Sequence, residues 1–96
     1  MKVIKITDEG FAWLVPLSVV AERRAKYYAD GDETAFKDEV DHVMNFPAEG
    51  VEWFLNNMDF SDVRDHAKLV EQPEKTAPNS ETWHVDDDEV DDDFMK

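Results

Sequence analysis

The sequence predicts a small α+β domain with an N-terminal β-hairpin, two or three helices, one possible returning strand and a disordered acidic C-terminal tail. Three observations lead to this fold class. Two short β-prone apolar runs open the chain, apolar residues recur at helical spacing through its middle, and carboxylates crowd its end. A length of 96 residues fits one domain. We assign residues 1–72 to that domain and residues 73–96 to a linker and tail.

The first two elements are predicted strands. Residues 3–6 form a β-prone run, residues 11–15 form a second apolar run, and the turn-prone segment 7–10 lies between them. This order is typical of a β-hairpin. Pro16 then stands at or just before the first turn of a helix, where its missing N–H does no harm.

Three apolar repeats predict helices. The first ends before Gly31 and comprises Leu17, Val20, Ala21, Ala25 and Tyr28. The second follows Asp32, its predicted N-cap, ends at Pro47, and comprises Phe36, Val40, Val43 and Met44. Its outward face is acidic and carries Glu33, Asp38, Glu39 and Asp41. A third, shorter repeat comprises Val51, Phe54, Leu55 and Met58.

Two short segments separate the helices from the tail. Residues 59–63 predict a turn or a single helical coil. Residues 67–71 alternate weakly and stop before Pro73, so they form either a third strand that returns to the hairpin or the end of a fourth helix. We favour the strand. From Pro73 onward the composition is that of a linker.

The tail concentrates negative charge in a chain whose formal net charge is −14. Seven carboxylates lie within its last residues, namely Asp86, Asp87, Asp88, Glu89, Asp91, Asp92 and Asp93. Like charges at this density repel one another, so we expect a solvated, extended segment. Such a segment would steer basic proteins toward it, while Trp83, Val90 and Phe94 could insert into apolar pockets on the partner.

The absence of cysteine excludes disulfides, thiolate zinc sites and cysteine nucleophiles. The N-terminus lacks the apolar core of a signal peptide, and no apolar stretch is long enough for a membrane span. We therefore expect a soluble, cytoplasmic protein. Its negative field should repel free nucleic acid and anionic membranes, so we expect neither as a direct partner.

Histidine pairs are the first candidates for chemistry. Asp38 and His42 stand one helical turn apart, as do Asp62 and His66 if that segment is helical, so each pair could supply two metal ligands. Two ligands are too few for a site, and no His-Glu-x-x-His pattern is present. We therefore interpret both as surface pairs and expect no metal and no cofactor.

The segment that begins at Asp30 is similar to the start of a calcium loop, but Ala35 replaces the required glycine and Asp41 the required glutamate. A turn between helices followed by an N-cap explains the same residues without an ion. The serines lack a glycine elbow, and three glycines cannot build a phosphate cradle. We predict that the protein is not an enzyme.

One basic patch interrupts the acidic composition. Arg23, Arg24 and Lys26 lie on the polar side of the first helix, and Lys2 and Lys5 precede them. Because unlike charges in a small domain attract one another, we expect this patch to pair with the protein's own carboxylates, on the second helix or in the tail.

Two resemblances point to a class of function. The run Asp91-Asp92-Asp93-Phe94 resembles the acidic, aromatic-containing tails of single-stranded DNA-binding proteins. The whole chain, including the run from Val19 to Asp30, is similar to the short acidic accessory proteins of bacteriophages. Several of those proteins imitate the charge of DNA and block host nucleases, restriction enzymes, CRISPR effectors or polymerases. The resemblance implies the cytoplasm of a host cell as the place of action.

The leading hypothesis is an acidic binding protein that imitates a phosphate backbone and occupies the nucleic-acid groove of a basic protein. Its predicted partner-binding residues are Glu33, Asp38, Glu39, Asp41, Asp86, Asp87, Asp88, Glu89, Asp91, Asp92, Asp93 and Phe94. A second hypothesis is an assembly protein whose aromatic body forms an oligomer or docks into a particle, with a tail that only maintains solubility. A third is a metal-dependent enzyme that uses His42 and His66.

Overall fold

The computed structural model describes residues 1–8, 11–71, 78 and 81–95, and it confirms the α+β fold class. Over these residues the elements are, in chain order, β1 (Lys2–Asp8), β2 (Phe11–Pro16), α1 (Leu17–Ala29), α2 (Glu33–Asn45), α3 (Pro47–Asn57), α4 (Phe60–Val63), β3 (Lys68–Glu71) and β4 (His84–Glu89). Short 3₁₀ turns cover Arg64–His66 and Asp92–Met95. The predicted hairpin and helices are present.

The described strands form one antiparallel sheet in the order β3-β2-β1-β4. β1 and β2 pair as the predicted hairpin, with Ile4 opposite Val15. β3 pairs with the outer side of β2, so the strand interpretation of residues 67–71 is confirmed. β4 pairs with the outer side of β1. The edges of the described sheet are therefore β3 and β4.

The acidic C-terminal segment differs from the prediction of a disordered tail. Residues 84–89 are extended and mostly exposed, as expected, but they form a strand in register with β1. Apolar contacts explain this docking, because Val85 is buried opposite Ile6 and the Trp83 ring lies 5.5 Å from the Phe54 ring. The predicted linker, residues 73–80, lies outside the described residues except for Pro78.

The core lies between the helices and one face of the sheet. Ile4, Ile6 and Val15 from the hairpin meet apolar residues of the helices in one cluster, which includes Leu17, Val20, Ala21, Val43, Phe54, Met58, Phe60 and Val63. Their burial provides the main stabilisation, because apolar surface removed from water contributes roughly 25 cal/mol per Å². None of the described helices has the length and apolar character needed to cross a bilayer.

The turn between α1 and α2 confirms the predicted N-cap. Asp30 and Gly31 adopt positive φ angles of 45° and 91°, which end α1. The Asp32 carboxylate then accepts hydrogen bonds from the backbone N–H groups of Thr34 (3.0 Å) and Ala35 (3.1 Å). These bonds satisfy two donors of the first turn of α2. The residues that are similar to a calcium loop are thus accounted for by helix capping.

Two residues of the apolar repeats lie outside the core. Tyr28 is 55% exposed, and Ala29 occupies the buried position in the last turn of α1. The tyrosine ring instead lies under the Arg24 guanidinium, 5.0 Å from the ring centroid. Leu55 is 48% exposed, because its neighbour Phe54 faces the core and adjacent residues of a helix point in different directions.

Candidate functional site

β4 presents four consecutive carboxylates at an edge of the described sheet, and we call this group the acidic strand (Asp86, Asp87, Asp88 and Glu89). All four side chains are exposed. Because an antiparallel strand rises about 3.4 Å per residue, the carboxylates follow one another at that interval along the strand. Pairing with β1 holds them in a fixed register.

Alternation along β4 divides these carboxylates between the two faces of the sheet. Asp87 and Glu89 share a face with Val85, which packs into the core beneath the helices. Asp86 and Asp88 share the opposite face with His84. The acidic strand therefore projects negative charge on both sides of the sheet edge.

Cross-strand neighbours on β1 compensate only part of this charge. Lys5 stands opposite Asp86, and Lys2 stands opposite Glu89. The Lys2 Nζ donates to the carbonyl oxygen of Met44, and Asp86 contacts His84, so these lysines attract the opposed carboxylates without forming ion pairs with them. Asp87 and Asp88, in contrast, stand opposite the buried Ile4 and Val3. The middle of the acidic strand is thus the least neutralised part.

The residues after β4 continue the negative surface. The N-terminal ammonium of Met1 donates to the carbonyl oxygen of Val90 (2.6 Å) and lies 3.1 Å from an Asp92 carboxylate oxygen. Asp91, Asp92 and Asp93 are exposed. Phe94 lies within the 3₁₀ turn that ends the described chain.

The predicted acidic face of α2 forms a second, separate group. Glu33, Asp38 and Asp41 are exposed, whereas Glu39 forms an ion pair with Arg24 of α1. α2 packs mainly against α1, while β4 packs against β1 and α3. The predicted partner-binding residues therefore lie in two places, on α2 and on the segment from β4 to the 3₁₀ turn, and the second group forms a nearly continuous run.

The expected pairing of the basic patch with carboxylates of the second helix is confirmed for Arg24, whereas Arg23 pairs with a carboxylate outside both α2 and the tail. Arg24 pairs with Glu39, and Arg23 lies 3.5 Å from an Asp62 carboxylate oxygen of α4. Lys2 makes a different contact and donates from Nζ to the carbonyl oxygen of Met44 at the end of α2. These contacts tie α1 to α2 and α4, and β1 to α2.

An aromatic cleft between α1 and α3 is a feature that the sequence reasoning missed. Its lining includes Arg23, Lys26, Tyr27, Trp53 and Asn57. The Tyr27 side chain is 72% exposed, and its ring centroid lies 6.4 Å from that of Trp53. The adjacent Tyr27-Tyr28 pair was the available signal, because two neighbouring helical residues cannot both face the core.

The histidines do not form the predicted pairs. His42 contacts Glu49 of α3 rather than Asp38, because α3 follows α2 closely and brings Glu49 to its last turn. His84 lies 2.6 Å from Asp86 on β4. Within the part of the chain that the structure describes, no group of three or more acidic or histidine side chains has the arrangement of a metal site.

Comparisons with protein-family models, curated proteins and solved structures found no match to this chain. The site must therefore be interpreted from its own geometry and charge.

Proposed function

We propose that this protein is a non-enzymatic acidic binding protein that occupies the nucleic-acid-binding surface of a basic protein through its acidic strand. One observation carries the proposal, namely the run of exposed carboxylates from Asp86 to Glu89 on an ordered strand. Their rise of about 3.4 Å per residue equals the axial spacing of successive phosphates along one strand of DNA. Because alternate carboxylates lie on opposite faces, a groove that encloses the sheet edge meets one about every 3.4 Å, and a groove that contacts one face meets one about every 6.8 Å.

The net charge of −14 supports the same proposal. A field of this sign attracts basic surfaces and increases the rate of encounter, and it repels nucleic acid itself. The register of β4 on β1 adds a second advantage, because an ordered strand loses less conformational entropy on binding than a disordered tail does.

The class of partner follows from this chemistry. A protein that binds nucleic acid uses lysine and arginine side chains to contact phosphates, and those side chains can contact carboxylates instead. The resemblance to acidic accessory proteins of bacteriophages extends the proposal to host enzymes that act on nucleic acids. The host cytoplasm is the corresponding proposed location.

The test compares two variants that remove the same amount of charge from different elements. The first is D86N/D87N/D88N on β4, and the second is E33Q/D38N/D41N on α2. Each is used to displace a fluorescent DNA duplex from a panel of basic nucleic-acid-binding proteins at fixed salt. We expect the β4 variant to weaken displacement by about tenfold or more and the α2 variant by less than about threefold, because short-range pairing outweighs screened net charge.

Salt dependence provides a further check on the same measurement. Displacement by the wild-type protein should weaken steeply as ionic strength rises from about 50 to 200 mM. If the β4 variant and the α2 variant weakened displacement of the duplex equally, only total charge would matter, and the acidic strand would be contradicted as the site. A flat salt response would contradict charge imitation altogether.

The aromatic cleft supports a second candidate function, that of an assembly protein. Tyrosine, tryptophan and arginine are the residues that dominate interface energetics, and Tyr27, Trp53 and Arg23 come together in this cleft. On this hypothesis Tyr27→Ala lowers self-association by about tenfold, measured by sedimentation, whereas Tyr27→Phe, which keeps the ring, has little effect. A monomeric wild-type protein at all accessible concentrations would contradict self-assembly.

A further inference from the structure

Along β4, residues whose backbone N–H and C=O groups face β1 alternate with residues whose backbone groups face outward. The hydrogen bonds at the end of the strand show which residues belong to each set. Met1 and Val90 exchange both backbone bonds, since each N–H donates to the other's carbonyl oxygen. In an antiparallel ladder such hydrogen-bonded pairs alternate with pairs whose backbone groups point away from each other. The outward-facing residues of β4 are therefore Val85, Asp87 and Glu89.

One of these outward donors already has a partner within the chain. The backbone N–H of Glu89 donates to the Asp88 carboxylate at 2.7 Å. No other strand of the described sheet lies beyond β4. Val85 and Asp87 thus leave their N–H and C=O groups on the open edge, where an extended chain can pair with them.

The side chains around this edge determine what kind of chain can pair there. An added strand would place its residues beside Asp86 and Asp88 on one face and beside Asp87 and Glu89 on the other. Directly opposed like charges are destabilising, so the acidic strand of a second copy is disfavoured. Lysine or arginine on both faces of the added strand would be favoured.

We propose that the outer edge of β4 accepts an extended, lysine- or arginine-bearing segment of the partner as an additional strand. This inference rests on the proposed function and deepens it, because it identifies the element of the partner's nucleic-acid-binding surface that contacts β4 as an extended basic segment. Backbone hydrogen bonds to Val85 and Asp87 provide the geometry, and the carboxylates select the sequence of the segment. Asp87 lies at the centre of the site, since its backbone faces outward and the buried Ile4 stands opposite it.

The decisive experiment is a pair of substitutions at one position. Asp87→Asn removes the charge and keeps the backbone N–H, whereas Asp87→Pro removes both. Because the N–H of Asp87 faces away from β1, proline there leaves the ladder with β1 intact, as is usual for proline in edge strands. The difference between the two variants therefore measures the outward hydrogen bond.

The probe is a synthetic peptide of repeating Lys-Lys-Thr-Thr, which places lysine on both faces of an extended strand, and its control is the same peptide with every second amide N-methylated. We expect Asp87→Pro to bind the probe about tenfold or more weakly than Asp87→Asn does, since loss of one donor in a strand pair with a charged neighbour has roughly that effect. The N-methylated peptide should bind Asp87→Asn as weakly as the unmodified probe binds Asp87→Pro.

Amide hydrogen exchange of the wild-type protein tests the same proposal without any substitution. The probe should slow exchange at Val85 and Asp87 and leave the already bonded amides of Asp86 and Asp88 little changed. Equal binding by the two Asp87 variants, with no added protection at Val85 and Asp87, would overturn strand addition. In that case the proposed function stands if D86N/D87N/D88N still weakens displacement of DNA, and both proposals fail if it does not.

Discussion

α2 and β4 are both rich in carboxylates, but folding gives the two elements different surfaces. On α2 successive residues turn by about 100°, so Glu39 faces Arg24 while Glu33, Asp38 and Asp41 point elsewhere. On β4 every residue advances about 3.4 Å along a line, and consecutive aspartates form two parallel rows. The same composition therefore yields scattered charges on a helix and an ordered array on a strand.

The two elements are similar in how they attach to the rest of the molecule. Val43 is the buried residue of α2, and Val85 is the buried residue of β4. Val43 lies in the middle of the core, whereas Val85 lies at the sheet edge. This difference suggests that α2 is an integral part of the core and that β4 can detach locally, which the following predictions test.

The largest expected effect comes from replacing each of these valines by aspartate. Val43→Asp should lower the free energy of unfolding by about 3–5 kcal/mol, because it leaves an unpaired carboxylate in the core. Val85→Asp should lower it by about 1–3 kcal/mol, because β4 can leave the sheet and expose the new charge to water. Chemical denaturation followed by circular dichroism measures both values.

Amide hydrogen exchange distinguishes local detachment of β4 from global unfolding in the same variants. In Val85→Asp the amides of β4 should exchange rapidly while those of α1 and β2 remain protected. Val43→Ala and Val85→Ala serve as controls, since they remove the apolar contact without adding charge. If Val85→Asp lowered the free energy of unfolding as much as Val43→Asp does, β4 would be an integral part of the core.

A smaller effect is expected from Gly50, where α3 lies close to side chains of α1 and α2. A Cβ atom at this position would lie 2.9 Å from both Leu17 Cδ1 and Val43 Cγ1. Gly50→Ala should therefore lower the free energy of unfolding by about 1–2 kcal/mol through overpacking, although alanine is the better helix former. Denaturant titration would measure this cost.

The control for Gly50 is the same substitution in a Val43→Ala background. Shortening Val43 removes one of the two close contacts, so Gly50→Ala should then become neutral or stabilising by a few tenths of a kcal/mol. An unchanged cost in that background would show that α2 does not restrict the position of α3.

The smallest effects concern the cation beside each acidic element, which forms an ion pair in Arg24–Glu39 and is a cross-strand neighbour in Lys5–Asp86. Double-mutant cycles for Lys5 with Asp86 and for Arg24 with Glu39 should each give coupling energies of about 0.2–1 kcal/mol. We expect the larger value for Arg24 and Glu39, because both side chains are partly buried and screening by salt is weaker there. A coupling for Lys5 and Asp86 that equals zero at low salt would contradict a role of charge in docking β4.

Much of the fold could be predicted because local signals agree with it. Turn-prone residues between two apolar runs predicted the hairpin, and a proline or an Asp-Gly sequence marked the boundaries of α1 and α2. The Asp32 cap depends only on the residues that follow it, so the sequence alone was sufficient to predict it.

The contacts of the candidate site were less predictable because they join distant parts of the chain. Trp83 and Val85 alternate with polar residues over too short a stretch to predict a strand, yet they meet Phe54 and Ile6 in the fold. The aromatic cleft likewise depends on how α3 crosses α1, which brings Trp53 beside Tyr27. Neither arrangement has a local signature.

The sequence by itself determined the class of fold, the caps and turns, and the excess of negative charge, because each depends on composition or on neighbours within a few residues. Only the tertiary structure decided that the acidic segment forms an edge strand. The free edge of β1 offers unpaired backbone groups, and Ile6, Lys2 and Lys5 offer apolar and cationic neighbours in register with β4. Those interactions become available only after the hairpin and the helices have folded.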